Sequence, residues 1–278
     1  MNTIHWLEHP DCRDAALVGG KAANLGRLAA TQPVPPGFCF TPEKPGPRGL
    51  PADLYAELVA AYAHLGALCG TPELRVAVRS SAVDEDGQQT SFAGLHDTYL
   101  NVTGPGAVAA AVRRCLASAR TPRAQHYRQA HGLPTEADVA VLVQQLVAAD
   151  VSAVVFSADP RTGARDRVVI NATWGLGESL VGGTVTPDLF VIRKRDLAIL
   201  TQQIAEKTRM TIAAADGTRE VPVPGFMQRE SSLDAAKIKA LAELARALEA
   251  GQGWPVDLEC AYQGDRLYLL QCRPITTV

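Results

Sequence analysis

Hydrophobic residues recur with different periods in the two halves of the chain, and this predicts helices first and sheet later. Residues 53–68 have apolar side chains three and four positions apart, which is the spacing of an amphipathic helix. Residues 75–82, RVAVRSSA, predict a strand that ends in a polar turn, and residues 105–119 predict a second helix. The apolar stripe of the first helix consists of Leu54, Leu58, Tyr62 and Leu65.

The segments between these elements carry turn and loop signals. Residues 19–30, GGKAANLGRLAA, predict a turn that runs into a short helix, and the proline- and glycine-rich residues 33–51 predict a connector. Residues 84–102 predict a long polar loop that returns to a strand, and a further helix is expected over about 123–131.

The second half is dense in β-branched residues and predicts a sheet. Its strands are expected at residues 139–147, 151–157 and 167–173, with short turns between them. One clear helix follows over residues 231–253, with the apolar stripe Ile238, Leu241, Leu244 and Leu248. Ser231 with Asp234 predicts its N-terminal capping box, and Gly251 its C-terminal cap.

Residues 254–274, WPVDLECAYQGDRLYLLQCRP, predict a hairpin with four polar side chains inside two apolar strands. Strand residues alternate between faces, so the pairing register decides whether these side chains meet. A three-residue loop such as 264–266 sets Glu259 opposite Gln271 and Asp257 opposite Arg273, whereas a two-residue loop puts the acids on the other face. We predict the odd loop, because it leaves one face of the hairpin apolar.

The four converging groups suit a metal and a phosphate. Glu259 and Gln271 offer oxygen atoms for Mg²⁺, which is held by few protein groups while phosphates and water complete its shell. Asp257 either adds a second carboxylate or orients Arg273, whose guanidinium suits a phosphate oxygen. The alternative is an exposed sheet face with incidental ion pairs.

Two further segments carry groups that suit phosphates. Lys21 follows two glycines at a predicted helix start, where backbone N–H groups and the helix dipole favour anions. Arg79, Ser80 and Ser81 end the predicted strand 75–82 with a cation and two hydroxyls. A glycine-rich segment at 173–183, TWGLGESLVGG, lacks dinucleotide-binding spacing and is either a close approach to a ligand or a packing turn.

Composition narrows the class of protein. The 278 residues are 47% hydrophobic and 20% charged with a net charge of −2, which disfavours nucleic-acid binding. The chain has no run of 18 apolar residues and no signal-peptide pattern, so a cytoplasmic protein without a membrane partner is expected. Its six cysteines form no C-x-x-C pair and are expected to be buried thiols.

Nine segments resemble one family in order, from Gly19 to Thr276. They are GGKAANLGRL, VPPGFCFT, VAVRSSAVDED, TSFAGLHDTYLNV, VLVQQLV, FSADPRTG, INATWGLGESLVGGTVTPDLFVI, VDLECAY and LYLLQCRPIT. Together they resemble the N-terminal nucleotide-binding domain of the phosphoenolpyruvate synthase, pyruvate phosphate dikinase and rifampicin phosphotransferase family. The resemblance implies an α+β, ATP-grasp-like fold in two subdomains, residues 1–143 and 144–278, with the ATP cleft between them.

The resemblance also implies ligands and site residues. ATP and Mg²⁺ are the expected cofactors of an ATP-dependent phosphotransferase of the dikinase type. Lys21 and Arg79 are expected at the phosphates, Arg273 at the terminal phosphate, and these three cations are the candidate catalytic groups. Glu259 and Gln271 are expected at the metal, with Asp257 as a further family acid. Gln144 matches the strand that borders the adenine, and Thr98 falls in the phosphate-side loop.

The chain departs from full-length members of that family in two respects. Those members continue into a swivelling domain whose histidine takes phosphate from ATP, and none of the six histidines here lies in such a glycine-rich segment. A separate phosphohistidine protein or further domains are therefore the expected partner. Leu95 also stands where many members have Gln. The alternatives are a free-standing kinase or ligase that acts on a small molecule, and a non-catalytic nucleotide-binding regulator.

Overall fold

Two antiparallel sheets organise the protein, one in each of two units. The computed structural model describes residues 3–42, 50–83, 98–118, 121–122, 125–126, 129 and 139–276. The first unit comprises Met1–Leu146 with Ala215–Gly217, and the second comprises Val147–Ala214 with Thr218–Val278. The predicted boundary between residues 143 and 144 falls inside the last strand of the first unit.

The first unit contains a five-stranded sheet in the order β1-β2-β5-β3-β4. Each neighbouring pair is antiparallel. The strand predicted at residues 75–82 has those bounds, and its two β-branched residues, Val76 and Val78, pack on one face in the same core. The strands are β1 (Ile4–Trp6), β2 (Gly37–Phe40), β3 (Arg75–Ala82), β4 (Thr98–Thr103) and β5 (Val139–Gln145).

Helices cover both faces of this sheet: α1 (Ala15–Leu28), α2 (Ala52–Leu68) and α3 (Pro105–Ser118). Val141 and Val143 pack in a core with residues of α2 and α3, whereas Ala140 and Leu142 pack in a second core with residues of α1. Because neighbouring strand residues point to opposite sides, α1 lies on one face of the sheet and α2 and α3 on the other.

Most predicted elements of this unit are confirmed, with one correction. The predicted connector at 33–51 contains a buried strand, β2, since the apolar run Phe38-Cys39-Phe40 adds an antiparallel neighbour to β5 despite the surrounding prolines. In the predicted stripe of α2, three residues are buried and Leu54 is half-buried. Leu95 and most of the helix predicted at 123–131 lie outside the described residues.

The second unit contains a six-stranded sheet in the order β13-β12-β6-β7-β8-β9 and a two-stranded ribbon. The helices are α4 (Glu178–Val181) and α5 (Ala235–Gln252). The sheet strands are β6 (Val151–Phe156), β7 (Arg167–Trp174), β8 (Asp188–Arg193), β9 (Ile199–Gln203), β12 (Val256–Gln263) and β13 (Arg266–Pro274). The ribbon consists of β10 (Arg209–Ala213) and β11 (Thr218–Pro222).

The helix predicted at 231–253 is α5, and both of its caps differ from the prediction. Asp234 is the N-cap, since its carboxylate accepts a hydrogen bond from Lys237 N at 2.8 Å. Ser231 Oγ instead donates to Leu233 O, outside the helix. Gly253 rather than Gly251 is the C-cap, because it adopts φ 80°, the left-handed conformation that ends helices.

Helices on antiparallel sheets confirm the predicted α+β class. All six cysteines are free, and five are buried as predicted, while Cys69 is half-buried at the end of α2. Burial raises the pKa of the Cys12 thiol to about 12, with the Asp11 carboxylate as a second cause, which suits an inert core residue. Over the residues that the structure describes, no helix is both long enough and apolar enough to cross a membrane.

Candidate functional site

The start of α1 packs directly against the end of β3. Gly19 has φ 77° and ψ 165°, so it interrupts the helix between two helical segments. A Cβ atom at this position would lie 2.1 Å from Ser81 O and 2.5 Å from Ser81 Oγ. Only glycine permits both this backbone conformation and this approach, and the close packing fixes where the helix begins relative to the strand.

Lys21 is held at this contact. Its side chain is 7% exposed, and its Nζ donates to Ser80 O at 3.4 Å. Ser81 Oγ accepts a hydrogen bond from Ala22 N at 3.1 Å, so this hydroxyl, which sequence reasoning offered to a ligand, serves the start of the second helical segment. The contact therefore fixes a largely desolvated cation at the end of a sheet strand.

Arg79, Thr98 and Gln144 lie on the same face of the sheet as α1. Val78, the neighbour of Arg79, packs in the core shared with α2 and α3, and Arg79 is paired with Leu142 of the α1 core. Thr98 is the register partner of Arg79 on β4. By the same alternation, Gln144 faces α1. These three predicted site residues thus share the sheet face on which α1, with Lys21, packs.

Gln144 is fully engaged with the backbone nearby. Its side chain is 2% exposed, and its Nε2 donates to Pro35 O at 3.0 Å. The contact ties β5 to the segment that enters β2, where Gly37 approaches so closely that a Cβ would lie 2.7 Å from Val143 O. Gln144 thereby has a fixed orientation on the α1 face.

In the second unit, the hairpin of β12 and β13 has the predicted pairing but not the predicted loop. Gln263 pairs with Arg266, so the loop contains two residues, Gly264 and Asp265. The pairing register between β12 and β13 shifts between Glu259 and Cys260.

The register shift restores the predicted pairs. Cys260 pairs with Leu269 and Glu259 with Gln271, which leaves Leu270 as a bulge. Glu259 then stands opposite Gln271, and Asp257 opposite Arg273. The prediction of the loop was wrong because strand parity alone cannot distinguish an odd loop from an even loop followed by a bulge.

Asp257 and Arg273 form a close ion pair on this hairpin. Arg273 Nε and Nη2 donate to Asp257 Oδ2 at 2.8 and 2.7 Å. The Asp257 side chain is 8% exposed and that of Arg273 is 28% exposed. Burial raises the pKa of Asp257, Arg273 opposes that rise, and the charge of Glu259 adds to it. Of the two roles that sequence reasoning left open for Asp257, the contacts favour orienting Arg273.

Glu259 and Gln271 present a carboxylate and an amide side by side. Gln271 is 7% exposed, and Glu259 is half-buried. Among the residues that the structure describes, no group of three or more His, Cys, Asp or Glu could hold a metal. A hard cation here would depend on these two oxygen donors together with oxygens from a ligand or water, which is the usual manner of holding Mg²⁺.

The glycine-rich segment at 173–183 contains a packing turn. Gly175 has φ 78°, and a Cβ there would lie 2.3 Å from Thr211 O. Gly175 N donates to Asp150 O at 2.8 Å, and Leu176 N to Thr211 O at 2.8 Å. Of the two interpretations of this segment, the contacts of Gly175 favour packing.

Comparison with known proteins identifies the family to which the chain is similar. Residues 47–278 match the family described as pyruvate phosphate dikinase, AMP/ATP-binding domain. A probable phosphoenolpyruvate synthase of Methanocaldococcus jannaschii is 36% identical over 320 residues, covering 100% of this chain and 27% of the relative. The rifampicin phosphotransferase of Streptomyces sviceus is 36% identical over 315 residues, covering 98% of this chain and 36% of that enzyme.

The phosphoenolpyruvate synthase of Pyrococcus furiosus is 33% identical, and the match covers 44% of its length. The chain thus spans between a quarter and a half of the length of such relatives. Among solved structures, a dinucleotide-forming acetyl-coenzyme A synthetase 1 of Ca. Korarchaeum cryptofilum is 12% identical with a TM-score of 0.45, covering 91% of this chain and 90% of that one. That structural similarity is too low to support a conclusion about fold or function. The family match and the curated relatives confirm the resemblance: the chain belongs to the pyruvate phosphate dikinase AMP/ATP-binding domain family.

Proposed function

We propose that this chain binds ATP with Mg²⁺ and activates ATP for phosphoryl transfer to a histidine on another domain or polypeptide. The observation that carries the proposal is the hairpin, where Glu259 pairs with Gln271 two residues away from the Asp257–Arg273 pair. The proposed metal ligands and the proposed phosphate-binding cation are therefore neighbours on one strand pair. Membership in an AMP/ATP-binding domain family supports ATP as the proposed ligand.

Glu259 and Gln271 are the proposed metal ligands. Their oxygens fit the preference of Mg²⁺ for one or two protein groups beside phosphates. Bound there, Mg²⁺ would neutralise charge on the phosphate oxygens of ATP. The β-bulge at Leu270 gives the two side chains their common face, so the bulge is part of the proposed site.

Arg273 is proposed to stabilise charge on the transferred phosphate. Two hydrogen bonds to one oxygen of Asp257 fix the plane of its guanidinium before a ligand binds. An oriented donor costs little reorganisation when charge develops in the transition state. Asp257 is therefore a positioning residue that acts through Arg273.

Lys21 and Arg79 are proposed to contact the phosphates, with Thr98 beside them and Gln144 bordering the adenine. Their support is a common sheet face in the first unit and the buried position of the Lys21 ammonium. A cation that is already desolvated interacts more strongly with phosphate than one in bulk water. The two cations among them, Lys21 and Arg79, would suit a polyphosphate on this face.

Product analysis tests the proposed reaction. The purified chain is incubated with ATP, Mg²⁺ and the histidine-bearing domain of a related phosphoenolpyruvate synthase. We expect AMP and phosphate only when both polypeptides are present. ADP formed with a small acceptor alone would instead indicate a free-standing kinase or ligase, and ATP binding without turnover under all conditions would indicate a regulator.

The metal assignment is tested separately by Mg²⁺ titration of ATP binding. Gln271→Ala should raise the Mg²⁺ concentration required for half-maximal binding about tenfold, since one of two protein ligands is lost. Gln263→Ala is the matched control, because Gln263 is an exposed glutamine at the far end of β12. Equal Mg²⁺ dependence in both variants would exclude Gln271 as a ligand.

A further inference from the structure

A basic pocket of about 570 Å³ lies in the second unit, away from the hairpin residues discussed above. The chain as a whole has a net charge of −2, yet cations dominate this pocket. A volume of this size is in the range of small-molecule sites, roughly 300 to 1,000 Å³. The pocket is lined by Asp166, Arg193, Lys194, Arg195 and Arg246.

The turn between β8 and β9 holds the basic residues in place. Arg193 Nε and Nη2 donate to the two carboxylate oxygens of Asp196 at 3.0 and 2.9 Å. Ala198 N donates to Asp196 Oδ1 at 3.2 Å, and Leu197 N to Arg193 O at 2.9 Å. These bonds maintain Leu197 at φ 58°, a left-handed conformation that a leucine rarely adopts. The turn therefore presents its cations on a fixed backbone.

Acidic partners neutralise only part of the positive charge. Lys194 forms an ion pair with Glu249 of α5. Asp196 is shared, because Arg195 Nε also lies 3.6 Å from Asp196 Oδ2 while its side chain remains 75% exposed.

Among the cations that line the pocket, Arg246 has a backbone carbonyl as its hydrogen-bond partner. Its Nη1 donates to Lys194 O at 3.2 Å, and it has no carboxylate partner among the residues that the structure describes. Because a carbonyl leaves the guanidinium charge uncompensated, Arg246 is the strongest candidate to receive an anion.

The pocket lies on the opposite side of the sheet from Glu259. Tyr262 Oη donates to Lys237 O of α5 at 3.2 Å, so the even-numbered residues of β12 face this helix. Glu259 is odd-numbered and points to the other face. Arg246 belongs to α5, so the two sets of groups cannot share one small ligand.

We propose that this pocket binds a small anion carrying one or two phosphate groups, at a site separate from the proposed ATP site. Arg246 and Arg195 are the principal contacts, since the planar guanidinium fork binds phosphate oxygens in pairs. The proposal does not depend on the proposed function, because none of its residues takes part in that site.

Calorimetric titration with pyrophosphate, without Mg²⁺ and at low ionic strength, tests this site. We expect saturable binding at about 1 mM or tighter, weakening with salt. Arg246→Gln should weaken binding about tenfold or more, since a charge-assisted contact is lost. Lys239→Gln is the matched control on the same helix, because Lys239 Nζ lies 3.9 Å from Glu243 and outside the pocket lining, and it should bind within about twofold of wild type.

Further variants separate this site from the proposed ATP site. Arg273→Ala should leave pyrophosphate binding through the basic pocket unchanged. Loss of binding in Arg273→Ala with retention in Arg246→Gln would place the anion on the hairpin and overturn the proposal. Absence of saturable binding, or binding of a polyglutamate peptide but not pyrophosphate, would also overturn it, the second result indicating a surface for an acidic protein. Arg246 is exposed, so its variant is expected to fold, and thermal unfolding is the measurement that checks this.

Discussion

The hairpin of β12 and β13 and the contact between α1 and β3 both hold cations proposed to bind phosphate, but they hold them by different means. Arg273 is oriented by a carboxylate 16 residues away, within one strand pair, and its side chain is 28% exposed. Lys21 is held by the backbone of a strand 59 residues away and is only 7% exposed. One site depends on local pairing and electrostatics, and the other on tertiary packing.

This difference predicts that substitutions at the two places affect activity and stability to different degrees. Substitutions of Arg273 should change activity more than stability, since its side chain is partly open to solvent, which screens its charge. Substitutions at the α1–β3 contact should change stability first, because backbone atoms there approach too closely to adjust.

Arg273→Ala should abolish turnover while the protein stays folded. Loss of one oriented donor to a charged transition state typically costs about 2.7 to 4 kcal/mol, which lowers turnover about 10²- to 10³-fold. The measurement is AMP formation in the presence of the histidine-bearing domain, normalised to folded protein by circular dichroism. Arg266→Ala is the control, because Arg266 lies at the turn of the same hairpin and stacks on Tyr268 at 4.8 Å. Turnover retained in Arg273→Ala would refute the assignment of this residue.

Gly19→Ala should destabilise the protein by about 3 kcal/mol, since it combines a positive φ with a backbone clash. Gly104→Ala isolates the first cause, because Gly104 has φ 85° and a Cβ added there would have no atom within 4 Å. That control should lose only about 1 kcal/mol. Urea unfolding of both variants measures the difference, and equal losses would show that the approach to Ser81 is not tight.

The hairpin was largely predictable from sequence because its information is local. The alternation of Asp257 and Glu259 with apolar residues indicated one polar face, and the partners on β13 followed from the register. The loop was predicted wrongly, since a two-residue loop followed by a bulge at Leu270 gives the same pairs as an odd loop. The alternation of strand faces fixes whether the total number of loop and bulge residues is odd or even. It does not fix how many of them lie in the loop and how many in a bulge.

The α1–β3 contact was only partly predictable because it joins distant segments. The two glycines before Lys21 indicated a turn into a helix, and the strand of Arg79 was predicted with its bounds. Nothing in either segment showed that Ser81 Oγ accepts from Ala22 N, since that bond spans 59 residues. The shared face of Arg79 and Gln144 likewise required the observed strand order.

Ser81→Ala should cost about 1 kcal/mol, the usual loss when a hydroxyl that accepts from a helix N-terminal N–H is removed. Ser80→Ala is the matched control at the next position. Ser80 is also fully buried, but its Oγ has no hydrogen-bond partner among the residues that the structure describes, and its carbonyl contact with Lys21 Nζ survives the substitution. Ser80→Ala should therefore be neutral or slightly stabilising in urea unfolding. A larger loss in Ser80→Ala would reverse the roles given to the two serines.

The smallest expected effect is a change in the pH dependence of stability at the hairpin. Burial, with the charge of Glu259, raises the pKa of Asp257 in the folded protein. The unfolded chain has an aspartate pKa of about 3.9, so between the two values the folded state binds more protons. Stability contributed by Asp257 is then fully present below the unfolded pKa and is lost as pH rises through the raised folded pKa.

Glu259→Gln should shift this loss to lower pH, because it removes a negative charge that raises the pKa of Asp257. Asp257→Asn should remove the loss altogether. Urea unfolding of wild type and both variants across the acidic range provides the measurement. The comparison is the difference between each variant and wild type in how the free energy of unfolding changes with pH. Differences are needed because carboxylates with lowered pKa values make stability rise with pH. Asp196 is one of them, because the hydrogen bond from Arg193 lowers its pKa to about 2. If Asp257→Asn keeps the wild-type slope, the raised pKa is excluded, and the ion pair with Arg273 outweighs burial at this carboxylate.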